Sequence, residues 1–193
     1  MPTGVALRDV RQQLFDAAER VLVREGVGAL TSRAVTTEAG VAKGVLHRHF
    51  TDFDDFLAAL VEDRIARLGR DADDLQASVG GGPVAANVTV ALFNVFGSVA
   101  LDIVALIIAR DDLRARLRRN RPAGIPLLTE ATTMLASYLA RERDRGRLPA
   151  SADVDTLALT LIGTAHLVFA GRDGTPPDPD EIERLVASIL TGA

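Results

Sequence analysis

The sequence predicts an all-α fold, an N-terminal three-helix head carrying a helix-turn-helix followed by a longer all-helical body. Three observations predict it. Apolar residues recur at helical spacing along most of the chain. No segment sustains the strict alternation of a strand, and no internal repeat is visible. Thr31 to Phe50, TSRAVTTEAGVAKGVLHRHF, reads as two short helices joined by a tight turn at Gly40-Val41.

The first helix is expected over Arg8 to Glu25. There Val10, Leu14, Ala17, Ala18, Val21 and Leu22 share one face, the charges lie opposite, and Gly26 ends the run. Thr31 is a good N-cap for a second helix to about Ala39, because its hydroxyl can accept from an orphan amide. Gly40 supplies the backbone freedom of the turn. On a helical wheel Ala42, Leu46, His49 and Phe50 fall on the inward arc of the third helix. Gly44, Val45, His47 and Arg48 face outward, with Lys43 at the flank. A fourth helix is expected from Phe53 to Leu75, its start made acidic by Asp52, Asp54 and Asp55, as suits a helix N-terminus.

Gly80-Gly81-Gly82-Pro83 marks a boundary. Behind it Val84 to Ala109 holds a single charge, Asp102, and reads as one central helix buried by its neighbours. A membrane span is the rival reading by hydropathy. Asn87, Asn94, Ser98 and Asp102 interrupt the run and no basic cluster precedes it, so no membrane role is expected. The arginines at 110, 114, 116, 118, 119 and 121 are spread around a helix with Asp111 and Asp112 among them, the pattern of a solvated face or surface ion-pair network. Pro122 to about Arg145 reads as another helix, Gly146-Arg147-Leu148-Pro149 breaks the chain, and Val154–Ala170 and Asp180–Leu190 complete the body. Residues 1–52 thus form the expected helix-turn-helix head, placed to bind DNA, and 53–193 the all-helical body, with 53–75 as connector.

Composition narrows the function. The chain has 193 residues, 48% hydrophobic and 25% charged, enough for a sizeable core. Cysteine is absent, which removes disulfides and thiolate metal sites, and no secretory signal opens the chain, so a cytoplasmic location is expected. The net charge is −4, yet residues 1–50 hold seven Lys/Arg against five acids, so the acidity lies in the body. That polarity suits a protein that meets nucleic acid through one end. His47 and His49 are not expected to bind a metal, since residues two apart on a helix do not face each other and no carboxylate completes a set. The body has one histidine, His166, read as a hydrogen-bonded core residue, and no nucleophile–base pair or phosphate loop. No enzyme activity and no cofactor are expected.

Thr31, Arg33, Val35, Ala39-Gly40-Val41, Gly44, Leu46, His49-Phe50 and Leu57, set behind an amphipathic helix ending at Gly26, resemble the head of the tetracycline-repressor (TetR) family of transcriptional regulators. The resemblance covers about Val10 to Leu60. It implies that Lys43, Gly44, Val45, His47 and Arg48 face the groove, with His49 at the head's edge, and that Thr31 and Arg33 meet the sugar-phosphate backbone. An imidazole near a phosphate would make binding pH-dependent, its unperturbed pKa being about 6.5. Four positions depart from the family pattern: His47 and His49 stand where tyrosines are common, Thr36 where alanine is usual, and Phe53 where a lysine often contacts phosphate.

The resemblance also implies a homodimer on a palindromic operator, released when a small molecule binds the body. Its two heads would lie about 34–36 Å apart or a multiple of that. By the family layout the partner face uses the last two long helices, with Leu157, Leu161, Ala165, Val168, Ile182, Leu185, Val186 and Ile189 as candidates. The expected pocket is lined by Phe93, Phe96, Gly97, Leu101, Met134, Tyr138 and His166 and takes a mainly apolar inducer. The alternative is a small-molecule-binding all-α protein or enzyme whose head has lost DNA binding, which Phe53 in place of lysine favours.

Overall fold

The computed structural model describes residues 4–97, 99–119, 124–172 and 175–192, with side chains from residue 10 onward. Ten α-helices and no strand occur among them. In order they are α1 (Gly4–Glu25), α2 (Ser32–Glu38), α3 (Gly44–His49), α4 (Phe53–Ala77), α5 (Val84–Phe96), α6 (Ala100–Ala109), α7 (Asp111–Arg118), α8 (Leu128–Asp144), α9 (Val154–Ala170) and α10 (Pro179–Thr191). The chain divides into two compact units, Met1–Asp63 with Asp102–Ala123, and Arg64–Leu101 with Gly124–Ala193. The expected split after residue 52 therefore needs amending: α7, 60 or so residues downstream, folds with the head.

In the first unit α1 presents Leu14, Ala17, Ala18, Val21 and Leu22 to Val35 of α2, Leu46 of α3 and Phe56, Leu57 and Leu60 of α4, all essentially inaccessible to water. Phe50, between α3 and α4, anchors the centre: its ring lies 5.1 Å edge-on from Phe56 and 6.0 Å from Phe15. Phe53 stacks on Phe56 at 5.6 Å, so the residue standing at the family's lysine position adds to this aromatic cluster. Leu113 and Leu117, one turn apart on α7, are buried as well.

The second unit is built on α5, α8, α9 and α10, with Leu92, Leu135, Leu139, Ala158, Leu161, Ile162, Ala165, Ile182 and Val186 in its core. Its helix starts follow the capping rules: Asp153 accepts from the Thr156 amide and Asp178 from that of Asp180, ahead of Pro179 at the first helical position. The one long central helix expected over Val84 to Ala109 is instead two, α5 ending at Gly97, whose amide bonds Phe93 O at 2.7 Å. A β-carbon at Gly97 would collide with that same oxygen, so this close of the helix requires glycine. No single described helix is long and apolar enough to cross a membrane. The helix expected from Pro122 begins, in its described part, at Leu128; Pro122 itself lies outside the described residues.

Candidate nucleic-acid interface

Thr31 caps α2, its Oγ1 accepting from the Ala34 amide at 3.1 Å. Buried Thr36 turns its hydroxyl onto the Ser32 and Arg33 carbonyls of the same helix, which is how a polar residue fits where alanine is usual. The Gln13 amide donates to Ala39 O at 2.9 Å and ties the end of α2 to α1. Gly40 then takes φ 67°, a left-handed conformation that costs other residues about 1 kcal/mol or more. The chain turns, Val41 N bonding Thr36 O, and α3 begins at Gly44.

That start corrects one inward assignment. Ala42 lies in the turn before α3, off the wheel, and is exposed. Leu46 and Phe50 are buried as expected, and His49 is half-buried beside the Phe50 ring. Lys43, Gly44, His47 and Arg48 are exposed and Val45 is half-buried. Nothing lies within 4 Å of a β-carbon built on Gly44, so the protein itself makes no demand for glycine there. Thr31 and Arg33 are exposed at the start of α2. None of Arg33, Lys43 and Arg48 has an ion pair among the described residues. Arg20 and Arg24 are instead committed to Glu38, at 2.7 and 2.9 Å, and this pairing holds the Glu38 carboxyl below its usual range. Behind α3, the Arg11 guanidinium sits 4.5 Å from the Phe50 ring centre. The result is a short helix gripped on its apolar side and open, uncompensated and cationic on the other.

In the body, Phe93 and Phe96 flank Phe169, at ring separations of 5.1 and 5.6 Å, and His166 lies against Phe96 at 6.1 Å. Met134 lines a groove of about 330 Å³ with Ile65, Leu68, Gly69, Gln76 and Glu130. Tyr138 is fully buried and accepts from Asn87 Nδ2 at 2.9 Å; Leu101 is half-buried and Gly97 exposed. A second cavity of about 130 Å³, which the sequence did not suggest, is lined by Asp71, Asp74, Asn87 and Asn94. No group of three His, Asp or Glu able to hold a metal occurs among the described residues.

Of the expected partner-facing residues, Leu157, Leu161, Ala165, Ile182 and Val186 are buried in the chain's own core, while Val168, Leu185 and Ile189 are half-buried. On α9, Leu159 and Leu167 are turned outward, 64% and 74% exposed. The arginine-rich stretch is largely an ion-pair network, as expected: Arg110 with Asp54, Arg114 with Asp111, and Arg116 with Asp52 and Asp55. Arg118 and Arg119 are exposed, and Arg121 lies outside the described residues.

A helical head of this geometry on an all-α body defines a helix-turn-helix DNA-binding protein. Residues 14–60 match the family model described as bacterial regulatory proteins, tetR family. The chain is 25% identical over 169 residues, 80% of its length and 75% of the relative's, to the probable HTH-type transcriptional regulator ArpR of Pseudomonas putida. It is 37% identical over 62 residues, 32% of each chain, to the nicotine-responsive transcriptional repressor HdnoR of Paenarthrobacter nicotinovorans. The fold matches a transcriptional regulator from Rhodococcus sp. Rha1 with a TM-score of 0.71 at 20% identity, over 95% of this chain and 97% of that one. Residues 14–60 thus carry the helix-turn-helix head of the tetR family of bacterial regulatory proteins.

Proposed function

We propose that the protein is a ligand-responsive repressor that binds a palindromic operator as a homodimer and leaves it when a small, mainly apolar molecule occupies the body. The observation that carries this reading is the exposed flank of α3. Lys43, Gly44, His47 and Arg48 point away from buried Leu46 and Phe50, and the two cations are unpaired among the described residues. Lys43 and Arg48 suit phosphate or guanine O6 and N7, Val45 suits a thymine methyl, and Gly44 lets backbone approach backbone. Thr31 and Arg33 stand beside them for the sugar-phosphate backbone. Such a protein works in the cytoplasm, and a regulatory rather than an enzymatic role fits the relatives.

One α3 reads too few base pairs to be selective, so two copies are needed. Leu159, Gly163 and Leu167 recur every fourth residue along the outward face of α9, a stripe that suits a second copy. Beside it α9 and α10 form a groove of about 520 Å³ lined by Thr156, Leu157, Thr160, Ser188 and Ile189. The aromatic cluster of Phe93, Phe96, Phe169 and His166 supports an apolar inducer, and the nicotine-responsive relative supports ligand control in general. The ligand must prefer a conformation that the operator does not, since equal affinity for both states shifts nothing.

A mobility-shift titration against the DNA upstream of the protein's own gene tests the reading. Binding should weaken steeply with salt, and Arg48→Ala should weaken it further while leaving the helical circular dichroism signal intact. Absence of binding at low salt would leave the small-molecule-binding protein with a silent head as the better account.

A further inference from the structure

The start of α4 poses an electrostatic problem for a DNA-binding head. Asp52, Asp54 and Asp55 follow α3 almost at once, and at least two of them are there for local reasons. Asp52 Oδ1 accepts from the Asp55 amide at 2.7 Å, capping α4, and Asp55 Oδ2 accepts from the Thr51 amide at 2.9 Å. Their backbone lies close to the groove-facing side: Asp52 is four residues past Arg48, within about 14 Å along even a fully extended chain. That reach exceeds the screening length at physiological salt, about 8 Å, but falls within the range at low salt, which grows from about 10 Å at about 0.1 M to about 30 Å at about 0.01 M. Three carboxylates there offset the three outward cations Arg33, Lys43 and Arg48.

The fold answers with two arginines from far along the sequence. Arg110, the N-cap residue of α7, contacts Asp54 Oδ1 through both Nε (3.2 Å) and Nη2 (2.8 Å), its guanidinium 5.9 Å from the Phe53 ring centre. Arg116, further along α7, reaches Asp52 at 3.0 Å and Asp55 at 3.7 Å. All three carboxylates are thereby paired. Exposed ion pairs of this kind contribute little to stability, so folding alone gives them a weak rationale. Their larger effect is on the field beside α3.

We propose that Arg110 and Arg116 are positioning residues for DNA binding. By neutralising the acidic start of α4 they remove a repulsion that the caps of that helix would otherwise impose on the phosphate backbone. DNA affinity is then conditional on α7 lying against α4, because the compensating charges arrive with α7. The inference rests on the DNA-binding reading above and adds to it a role for residues that touch no DNA.

The test uses the full-length protein and a fluorescent duplex from upstream of its own gene. Arg110→Gln with Arg116→Gln should raise Kd about five- to tenfold at about 0.05 M salt, shrinking to about twofold at about 0.3 M as screening removes the repulsion. Adding Asp52→Asn, Asp54→Asn and Asp55→Asn, which keep a capping oxygen, should restore the wild-type Kd. An unchanged Kd in the double variant overturns the proposal. So does a loss that the asparagines fail to repair, which would mean the arginines only hold α7 in place. Should the double variant not fold, the three asparagines in the wild-type background must bind at least as tightly as wild type, and weaker binding overturns the proposal. Wild-type protein that fails to bind at low salt sinks the repressor reading and this inference together; wild-type binding with insensitive variants sinks this inference alone.

Discussion

Glu142, fully buried on α8, accepts a hydrogen bond from the Gly80 amide at 3.1 Å, joining residues 62 positions apart. Its other oxygen lies 3.4 Å from Arg147 Nε. Arg147 in turn donates to the Gly82 carbonyl, so one carboxylate organises both ends of the Gly80–Gly82 turn between α4 and α5. Removing it would leave the Gly80 amide without its acceptor and the Arg147 guanidinium without its counter-charge. Glu142→Ala should therefore lower stability by about 2–3 kcal/mol, with Glu142→Gln milder because its carbonyl still serves Gly80. Urea denaturation of the three proteins measures this; equal midpoints would show that the network is incidental.

Tyr138 belongs to the same network and is the chain's single tyrosine, so its titration can be followed without interference. Burial is the main cause that pushes its phenol from an ordinary 10.0 up to about 12, with the Glu142 carboxylate adding to it and the Asn87 amide opposing. The folded pKa exceeds the unfolded one, so the unfolded chain gives up its proton first. Stability is accordingly full below about pH 10 and falls as pH rises towards 12. The phenolate absorbance band should appear near pH 12 in buffer and near pH 10 in urea. A native midpoint at the ordinary value would mean that the hydroxyl is open to water.

Glu142 also shows where the sequence was legible and where it was not. Leu135, Tyr138, Leu139 and Glu142 follow the spacing of one helical face, so a buried acid could have been read from the period alone, but the charged run ARERDRGR around it masks that signal. The head was legible because each of its elements carries a physical marker: a capping threonine at 31, a left-handed glycine at 40 and apolar residues on one side only. The wheel failed at Ala42 because it was extended backwards past the first residue of α3. α9 matched its expected bounds, Val154–Ala170, since breaker residues frame it. Its faces did not, because leucines line both sides of that helix and periodicity cannot separate those packed inside from those left exposed. The join between the start of α4 and α7 pairs residues about 60 positions apart and leaves no local trace in the sequence.

Gly97 also decides the chain path. Apolar residues crowd both sides of it and the few polar ones mark no consistent face, which is why α5 and α6 read as one helix. Gly97→Ala would press a methyl group into Phe93 O, and the strain should cost about 1–3 kcal/mol. Chemical denaturation should show a lower midpoint with an unchanged slope. A variant as stable as wild type would mean that the end of α5 relaxes freely.

The outward face of α9 offers the most direct test of assembly. Leu159 and Leu167 lie on one stripe with Gly163 between them, and leaving them in water forgoes about 1.5–3 kcal/mol each relative to full burial. A second copy would recover part of that, and Gly163, with open space where its β-carbon would be, would let the two helices come close. Leu159→Glu with Leu167→Glu would place like charges opposite one another across a two-fold axis and should shift the protein from dimer to monomer in sedimentation velocity. The core of the monomer should survive, because neither leucine contributes to it. DNA affinity should fall much further than stability, since an operator with two half-sites gains its selectivity only from two linked heads. A double variant that still sediments as a dimer would place the partner contact elsewhere. Leu161→Ala is the control: it hollows the inside of the chain rather than its surface, so it should cost about 2–5 kcal/mol of stability and affect assembly only through the loss of folded protein.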